Sequence, residues 1–409
     1  MKSFDVPSFY KSNLISAIKD YNKTTDKLKK NFTPTFLNFG GVHIYLARHF
    51  GFCYGVENAI EIAFKTVNEN PNKRIYLLSE MIHNPQVNAD LKAHGVMFLQ
   101  DTYGNTLIPI STLTSNDVVL IPAFGTTIQM ENELRAKGIP IEQYDTTCPF
   151  VEKVWKRSEA IAQKNYTVIV HGKPTHEETR ATFSHSTQHT PTVVIKDMEE
   201  AKILAQYLTH SLPYAQFYTD FAGQYSDNFD PQTHLQKIGV VNQTTMLAED
   251  TQAIADYLKH TMATKYPNTN IKENFADTRD TLCYATNDNQ TAVKAMLQTP
   301  AHLAIVVGGY NSSNTSHLVE LCEDVLPTYY ISHADNINST NEIMHYNFHK
   351  KTLETTTNFL PKQNPTKILI TSGASCPDAL VEKVIEKIIA QYETTVTIES
   401  ITNNYLAQQ

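Results

Sequence analysis

Three of the five cysteines occupy the same kind of position in the sequence. Cys53, Cys148 and Cys283 each precede a segment whose apolar residues recur with helical spacing. The partial positive charge and open N–H groups of a helix N-terminus favour the thiolate, the form that binds metals and attacks substrates. The sequence therefore predicts metal ligands or nucleophiles at these positions. The alternative is three buried thiols that happen to lie in loops.

The other two cysteines differ from this trio. Cys322 falls on an apolar helical stripe with Leu318, Leu321 and Val325, which is typical of a core residue. Cys376, in the segment SGASCPDAL, also precedes a helix and could be a fourth thiolate, a resolving thiol or inert. An odd number of widely spaced cysteines is not a small disulfide framework. We therefore expect reduced thiols and a cytoplasmic protein.

Several loops between predicted strands and helices carry neutral hydrogen-bond donors. Such loops bind phosphate through N–H groups and short hydroxyls, although Ser, Thr and Asn are also the usual helix N-caps. The segment YNSSNTSHL is the strongest candidate, because it has more consecutive small polar residues than one cap requires. Neither a Walker A motif nor a dinucleotide fingerprint is present. The candidate loop residues are His83, Asn84, Thr126, Thr127, His176, Thr244, Thr245, Asn311, Ser312, Ser313, Asn314 and Ser375.

A carboxylate and an imidazole lie two residues apart in the segment THEETRAT. His176 and Glu178 could together deliver a proton to a substrate. The spacing is not that of the H-E-x-x-H zinc helix, since Arg180 stands where the second histidine would be. Taken alone, the segment is also typical of a solvated charged helix.

Alternating strands and helices must position these residues. Apolar runs such as RIYLLSE, YTVIVHG and LAIVVGG are each followed by a polar loop and an amphipathic helix. This alternation predicts an α/β fold of βαβ units with parallel sheets, which bind ligands at the carboxyl ends of their strands. The length of 409 residues suits two or three domains.

Composition excludes several classes of protein. The chain has 42 acidic and 34 basic residues and a net charge of −8, so it lacks the basic surface of nucleic-acid binders. No apolar run approaches the roughly 18 residues of a membrane span. Residues 1–35 lack the apolar core of a secretory signal. We expect neither nucleic acid nor membrane as a partner.

Taken together, the chemistry-bearing segments resemble the 4-hydroxy-3-methylbut-2-enyl diphosphate reductase family, which catalyses the last step of the methylerythritol phosphate pathway to isoprenoids. The sequence motifs PAFG and HGKxxHEET resemble those of the longer plant and cyanobacterial type of the family. Eight segments occur in the family's order: GFCYGVENAI, EMIHNPQVN, DTTCPFVEKV, HGKPTHEETRAT, NQTTML, LCYATNDNQTAV, VVGGYNSSNTSHL and SGASCPDALV.

The resemblance implies three similar α/β modules, with small and mostly parallel sheets, arranged around one [4Fe–4S] cluster. Cys53, Cys148 and Cys283 match its three ligands, which leaves one iron open to substrate. The expected boundaries are an N-terminal extension 1–41, modules 42–147, 148–279 and 280–390, insertions near 186–235 and 334–364, and a tail 391–409.

The resemblance also implies the reaction. In the family the substrate hydroxyl binds the open iron, two electrons arrive singly, and loss of water with protonation gives isopentenyl or dimethylallyl diphosphate. Glu178 matches the proton-delivering carboxylate, and Thr244 matches a hydroxyl that helps to orient substrate and proton. The expected electron donor is a ferredoxin or flavodoxin. The residues expected to bind the substrate diphosphate are His83, His176, Thr244, Ser312, Ser313, Asn314 and Ser375.

Two positions depart from the family pattern. Phe124 stands where many members have a diphosphate-binding histidine, so Thr126, Thr127 or a neighbour must substitute, or affinity falls. Cys376 stands where alanine or threonine is usual. Two rival interpretations therefore stay open: a hydrolase with zinc on Cys53, Cys148 and Cys283, and an iron–sulfur sensor or electron carrier in which Cys376 is a fourth ligand.

Overall fold

The computed structural model describes residues 4–276, 281–338 and 341–408. The chain divides into two compact units. The terminal unit, which holds both chain ends, comprises Met1–Glu61, Ile82–Asp90 and Tyr284–Gln409. The middle unit comprises Ile62–Met81 and Leu91–Cys283.

Helices and strands alternate along most of the described chain. In chain order the elements are α1 Asn13–Thr25, β1 Thr35–Asn38, β2 Val42–Leu46, α2 Tyr54–Glu69, β3 Ile75–Leu77, α3 Pro85–Ala93, β4 Met97–Phe98, β5 Val118–Leu120, α4 Ile128–Ala136, α5 Pro149–Ala162, β6 Thr167–His171, α6 Glu177–Thr187, β7 Thr192–Ile195, α7 Met198–Leu208, α8 Tyr214–Asp220, α9 Pro231–His234, β8 Ile238–Asn242, α10 Ala248–Lys265, β9 Phe275–Ala276, α11 Tyr284–Met296, β10 Leu303–Val307, α12 Ser313–Glu323, β11 Thr328–Ile331, β12 Glu342–Asn347, β13 Thr352–Thr357, β14 Thr366–Ser372, α13 Asp378–Ile389 and α14 Ile398–Leu406.

A five-stranded sheet forms the centre of the terminal unit. Its strand order is β1-β2-β14-β10-β11, and every neighbouring pair is parallel except β1 with β2. All five residues of β10 (LAIVV) are buried, as expected for a parallel strand covered by helices on both faces. The register pairs β2 directly with β14, so strands from distant parts of the sequence lie side by side.

Elements near both ends of the described chain pack in the core of the terminal unit. Leu14, Ile15 and Ile18 of α1 are fully buried in it, and α1 packs against α13 and α14. β1 extends the sheet as an antiparallel edge strand. The segments predicted as an N-terminal extension and a C-terminal tail are therefore packed parts of this unit.

The middle unit contains two smaller sheets, and all of their neighbouring strands are parallel. One has the order β4-β3-β5 and the other β7-β6-β8-β9. The region 186–235, predicted as an irregular insertion, supplies strand β7 and helix α7. Its Phe217 and Phe221 are fully buried with Tyr207 in the adjoining core. This region therefore completes a sheet and its apolar layer.

The predicted α/β class with small, mostly parallel sheets is confirmed. The division into three modules stays a prediction, and its first and third modules share a sheet through β2 and β14. In the predicted insertion 334–364, β12 and β13 form a separate antiparallel hairpin. Among the helices described, none is long and apolar enough to cross a membrane.

Candidate active site

The predicted site residues lie in loops that follow the carboxyl ends of parallel strands. In the terminal unit these loops follow β2, β10 and β14, and in the middle unit they follow β5, β6 and β8. Parallel α/β sheets bind ligands at the carboxyl ends of their strands, because helix N-termini and loop donors converge there. The residues concerned are Cys53, Ser312, Ser313, Asn314 and Ser375 in the first unit, and Phe124, His176 and Thr244 in the second.

Hydrogen bonds join the three loops of the terminal unit to one another and to the segment that contains His83. The N–H of Cys53 donates to the carbonyl oxygen of Ala374 at 3.2 Å. The N–H of Ala374 in turn donates to Oδ1 of Asn314 at 2.9 Å. The hydroxyl of Ser375 donates to the carbonyl oxygen of His83 at 3.2 Å. The terminal unit thus brings together Cys53, His83, Asn314 and Ser375.

Glycines allow the loops after β10 and β14 to approach Thr315. The Thr315 N–H and hydroxyl donate to Oγ of Ser312, at 3.2 and 2.9 Å, which caps helix α12. A Cβ atom on Gly373 would lie 1.9 Å from Thr315 Oγ1, and one on Gly308 would lie 2.6 Å from it. A larger residue at either position would force Thr315 to move.

Two short polar side chains of the terminal unit each have a buried donor that could bind a hydrogen-bond acceptor of a ligand. The hydroxyl of Ser313, at the first position of α12, is buried and has no hydrogen-bond partner among the described residues. The amide nitrogen of Asn84 is in the same condition, while its oxygen accepts from the N–H groups of Gln86 and Val87. An unsatisfied buried polar group costs roughly 1–3 kcal/mol. An oxygen-rich anion at the helix N-terminus would remove that cost for Ser313.

Glu178 and Thr244 form a buried pair in the middle unit. The N–H of Thr244 donates to Oε1 of Glu178 at 2.6 Å, and its hydroxyl donates to Oε2 at 3.0 Å. The two residues are 1% and 4% exposed. A carboxyl held at both oxygens inside a protein has a fixed orientation, which suits directed proton transfer.

His176 is the N-cap of helix α6, and this contact assigns its tautomer. Nδ1 of His176 accepts the N–H of Glu178 at 3.2 Å. A backbone N–H can only donate, so Nδ1 carries no proton and the neutral ring bears its proton on Nε2. The Nε2–H is then the donor that His176 can offer to a ligand.

The two cysteines of the middle unit are held by neighbours of these residues. The N–H of Cys283 donates to the carbonyl oxygen of Thr244 at 3.2 Å, and that of Cys148 to Ala123 at 2.9 Å. Cys148 is the N-cap of α5, and Pro149 follows at the first helical position. Cys283 is therefore hydrogen-bonded to Thr244 itself, and Cys148 to Ala123, the residue before Phe124.

Phe124 contacts His176 directly. The two rings meet edge to face, with centroids 5.5 Å apart and planes at 84°. Of the two threonines considered as substitutes for a histidine at this position, Thr127 uses its hydroxyl to cap α4. The contact of Thr126 with Nε2 of His185, at 3.2 Å, is made by its backbone carbonyl oxygen. Phe124 therefore packs against the imidazole of His176.

The set of thiols fits a sulfur-ligated metal cluster. Cys53, Cys148 and Cys283 each stand immediately before a helix, and none of the five cysteines of the described chain is in a disulfide. Burial holds the pKa of the Cys53 thiol above its ordinary value, and the N–H groups of Val56 and Gly55 offset part of that rise. Thiolates are the ligands of iron–sulfur clusters, and helix N-terminal N–H groups stabilise them. Within the described ranges, no three His, Cys, Asp or Glu side chains are grouped closely enough to hold a single metal ion.

Cys322 and Cys376 are core residues of the terminal unit. Both are fully buried in its apolar cluster, and burial raises the pKa of each thiol to about 12. The prediction for Cys322 is confirmed. Cys376 lies in this cluster, and its Sγ donates to the carbonyl oxygen of Pro377 at 3.7 Å; the interpretation of it as a fourth metal ligand stays an alternative.

Sequence reasoning missed Gln243, which organises the loop beside Thr244. This fully buried side chain accepts from the N–H of Lys173 at 3.1 Å and from the hydroxyl of Thr179 at 3.0 Å. Its Nε2 donates to Thr245 at 2.7 Å. An amide directly after the apolar strand β8 was the available signal, since a polar residue there must find partners.

Comparison with known proteins gives consistent results over most of the chain. Residues 44–389 match the family model described as LytB protein. A protein of Trichormus variabilis named 4-hydroxy-3-methylbut-2-enyl diphosphate reductase is 39% identical over 392 residues, which cover 96% of this chain and 92% of that protein. A protein of the same name from Picosynechococcus sp. is 40% identical over 385 residues, covering 94% and 90%.

Two solved structures share the fold. The E-1-hydroxy-2-methyl-but-2-enyl-4-diphosphate reductase of Plasmodium falciparum matches 90% of this chain and 98% of its own, with a TM-score of 0.62 and 21% identity. A structure of (E)-4-hydroxy-3-methyl-but-2-enyl diphosphate reductase matches 85% of this chain and 99% of its own, with a TM-score of 0.51 and 23% identity. At these identities the structures support the fold alone.

Proposed function

The chain belongs to the LytB family and is an oxidoreductase that reduces 4-hydroxy-3-methylbut-2-enyl diphosphate, and we propose that it does so with a [4Fe–4S] cluster bound by Cys53, Cys148 and Cys283. The reaction is a reductive dehydroxylation, the last step of the non-mevalonate pathway to isoprenoids. It consumes two electrons and two protons and yields water with isopentenyl or dimethylallyl diphosphate. The observation that carries the proposal is the position of each of the three thiols before a helix.

The cluster would supply what the side chains lack. When bound, a cluster with three thiolate ligands delivers electrons singly and offers, at its fourth iron, a Lewis acid for the substrate hydroxyl. The protein's own contribution is to keep three thiols in helix N-terminal positions and to leave Cys376 in the apolar core. A fourth thiolate would close the position that the substrate needs.

Glu178 is the residue that we propose to deliver the proton to the allylic carbon. Its two oxygens are held by Thr244, and its backbone N–H is held by His176. The burial of this pair keeps bulk water away from the carboxyl. Thr244 orients the carboxyl, and its hydroxyl is also proposed to contact the substrate.

The substrate diphosphate is proposed to bind neutral donors. The buried hydroxyl of Ser313 and the Nε2–H of His176 are each suited to a phosphate oxygen. Ser312 accepts two hydrogen bonds from Thr315, so its own proton is available for donation. Because the whole protein carries a net charge of −8, affinity for a polyanion must come from such local donors. The full proposed set is His83, His176, Thr244, Ser312, Ser313, Asn314 and Ser375.

The electron donor is proposed to be a ferredoxin or flavodoxin-type protein, because the reaction uses two electrons in separate steps. We also propose a reducing compartment, the cytoplasm, in which ligand thiols stay reduced. Both the electron donor and the compartment are inferred from the needs of the proposed iron–sulfur cluster.

An anaerobic assay tests the function. Protein purified without oxygen should be brown, contain about four iron and four sulfide per chain, and convert 4-hydroxy-3-methylbut-2-enyl diphosphate when a chemical reductant is supplied. A colourless protein that contains zinc and hydrolyses its substrate would overturn the proposal in favour of a zinc hydrolase. A brown protein that carries electrons but leaves this substrate unchanged would favour an electron carrier.

A further inference from the structure

Helix α6 begins with two consecutive buried glutamates, and their carboxylates accept hydrogen bonds from residues of two different sheets. Glu178 is bound by Thr244, at the end of β8 in the four-stranded sheet. Glu177 accepts a hydrogen bond from the hydroxyl of Ser79, which follows β3 in the three-stranded sheet. Ser79 and Glu177 are both 6% exposed. The first turn of α6 is therefore fixed to both sheets of the middle unit.

The Ser79 end of this contact is rigid. Leu78, the preceding residue, donates its N–H to Leu120 at 3.1 Å and accepts from the N–H of Gln100 at 2.9 Å. Main-chain hydrogen bonds to both neighbouring segments therefore fix Leu78, the residue before Ser79, relative to the sheet. A hydroxyl held in this way is a fixed reference point for the carboxylate that it binds.

Glu177 begins a polar stripe along α6. Three and seven residues further on, Arg180 and Ser184 lie on the same helix face. Arg180 donates to the carbonyl oxygens of Thr102 and Tyr103, and Ser184 accepts the N–H of Ile128 at 3.0 Å. The stripe is the set Glu177, Arg180 and Ser184, and all three side chains bind segments that follow β3, β4 or β5.

We propose that Glu177, through its bond with Ser79, is a positioning residue for Glu178. The stripe sets the rotation of α6 about its axis, and this rotation determines where the next residue, Glu178, directs its carboxyl. Loss of the Ser79 bond would remove one of the contacts that set this rotation and would loosen the hold on Glu178, although Arg180, Ser184 and Thr244 keep theirs. This inference rests on the proposed proton-delivering role of Glu178.

The kinetic signature of a positioning residue separates it from a merely structural one. Removing the Ser79 hydroxyl should lower kcat about tenfold, since small displacements of a catalytic group cost one to two orders of magnitude. KM should change less than about twofold, because the proposed diphosphate donors are untouched. A loss of folding would instead lower the fraction of active enzyme and the melting temperature together.

The experiment uses Ser79→Ala, Glu177→Ala and their combination, each in wild-type and Glu178→Gln backgrounds. In the wild-type background each single variant should lose about tenfold in kcat and the double variant little more, because both break the bond between Ser79 and Glu177. In the Glu178→Gln background, Ser79→Ala should change residual turnover less than about twofold, since the group to be positioned is already disabled. Glu199→Ala is the matched control: it removes a glutamate from the first turn of α7, where its side chain is exposed, and should have no effect.

Iron content and melting temperature are recorded for every variant, so that only loaded, folded enzyme is compared. Wild-type kcat in Ser79→Ala, or an equal loss in both backgrounds, would overturn the proposed role of Glu177. If wild-type protein itself fails to reduce the substrate, the proposed function fails instead, and the two failures are thereby distinguished.

Discussion

Thr244 binds both carboxylate oxygens of Glu178, one through its backbone N–H and the other through its hydroxyl. The backbone contact survives replacement of the side chain, whereas the hydroxyl contact depends on residue type. Substitution at position 244 therefore separates the contribution of one hydrogen bond from that of the loop itself.

We expect Thr244→Val to lower turnover about tenfold and Thr244→Ser to stay within about threefold of wild type, because only valine deprives Oε2 of its donor. Steady-state rates with substrate and a chemical reductant measure the difference. Both variants should keep their iron and sulfide. Equal activity of the valine and serine variants would remove the hydroxyl from the mechanism.

Phe124 should matter for binding rather than for chemistry. An edge-to-face aromatic pair contributes about 1 kcal/mol, so Phe124→Ala should raise KM about fivefold through loss of support for His176. Phe124→Tyr keeps the ring and should stay near wild type. Determination of KM for the three proteins tests this, and an unchanged KM in the alanine variant would show that His176 needs no such support.

Cys376 should be dispensable for the cofactor and inert to alkylation. A thiol with a pKa of about 12 is thiolate to only about one part in ten thousand at pH 8. Native protein treated with iodoacetamide at pH 8 should therefore stay unmodified at Cys376 and Cys322, as mass spectrometry can show. Cys376→Ala should retain iron and sulfide, whereas Cys53→Ala should lose them. Loss of iron from Cys376→Ala would restore the electron-carrier interpretation.

Acid should weaken the middle unit through Asp117. Burial raises the pKa of Asp117, but hydrogen bonds from Arg74 and Thr114 outweigh it and hold the pKa below the ordinary 3.8. A depressed pKa stabilises the fold above the ordinary value, and this contribution is lost as the pH falls through the folded-state pKa. Asp117→Asn should thus lower the melting temperature at pH 7, with a difference that shrinks below about pH 4.

Thermal unfolding of wild type and variant between pH 7 and pH 3 measures this effect. Asp20→Asn is the control, since Asp20 forms an exposed ion pair with Lys23 and should contribute little. A constant difference between Asp117→Asn and wild type at all pH values would contradict the assignment.

The fold class and the position of most site residues could be predicted because their signals are local. Each site residue of the parallel sheets follows an apolar strand, and the start of a helix after the loop is visible in the spacing of apolar residues. The cysteines before α2, α5 and α11 were recognisable on that ground alone. Cys322 was assigned to the core from its helical stripe, and the structure agrees.

The remaining features depend on contacts between distant segments. The pairing of β2 with β14 has no local signal, because strand partners are chosen by packing of the whole unit. Region 186–235 looked irregular because β7 has four residues and α8 seven, too few for a clear period. Glu177 resembled a solvated helix residue, because the sequence around it gives no sign that its partner, Ser79, follows a strand of another sheet.

The position of β14 in the middle of the five-stranded sheet has a consequence for biosynthesis. A ribosome releases β2 early, but β14, which joins β2 to β10, is the last of the five strands to be synthesised. The strands of the middle unit are complete before that moment, whereas the terminal unit must wait for its central strand. The main-chain contact between Cys53 and Ala374 can therefore form only after β14 has been synthesised, so the loop that carries Cys53 gains this hydrogen bond late.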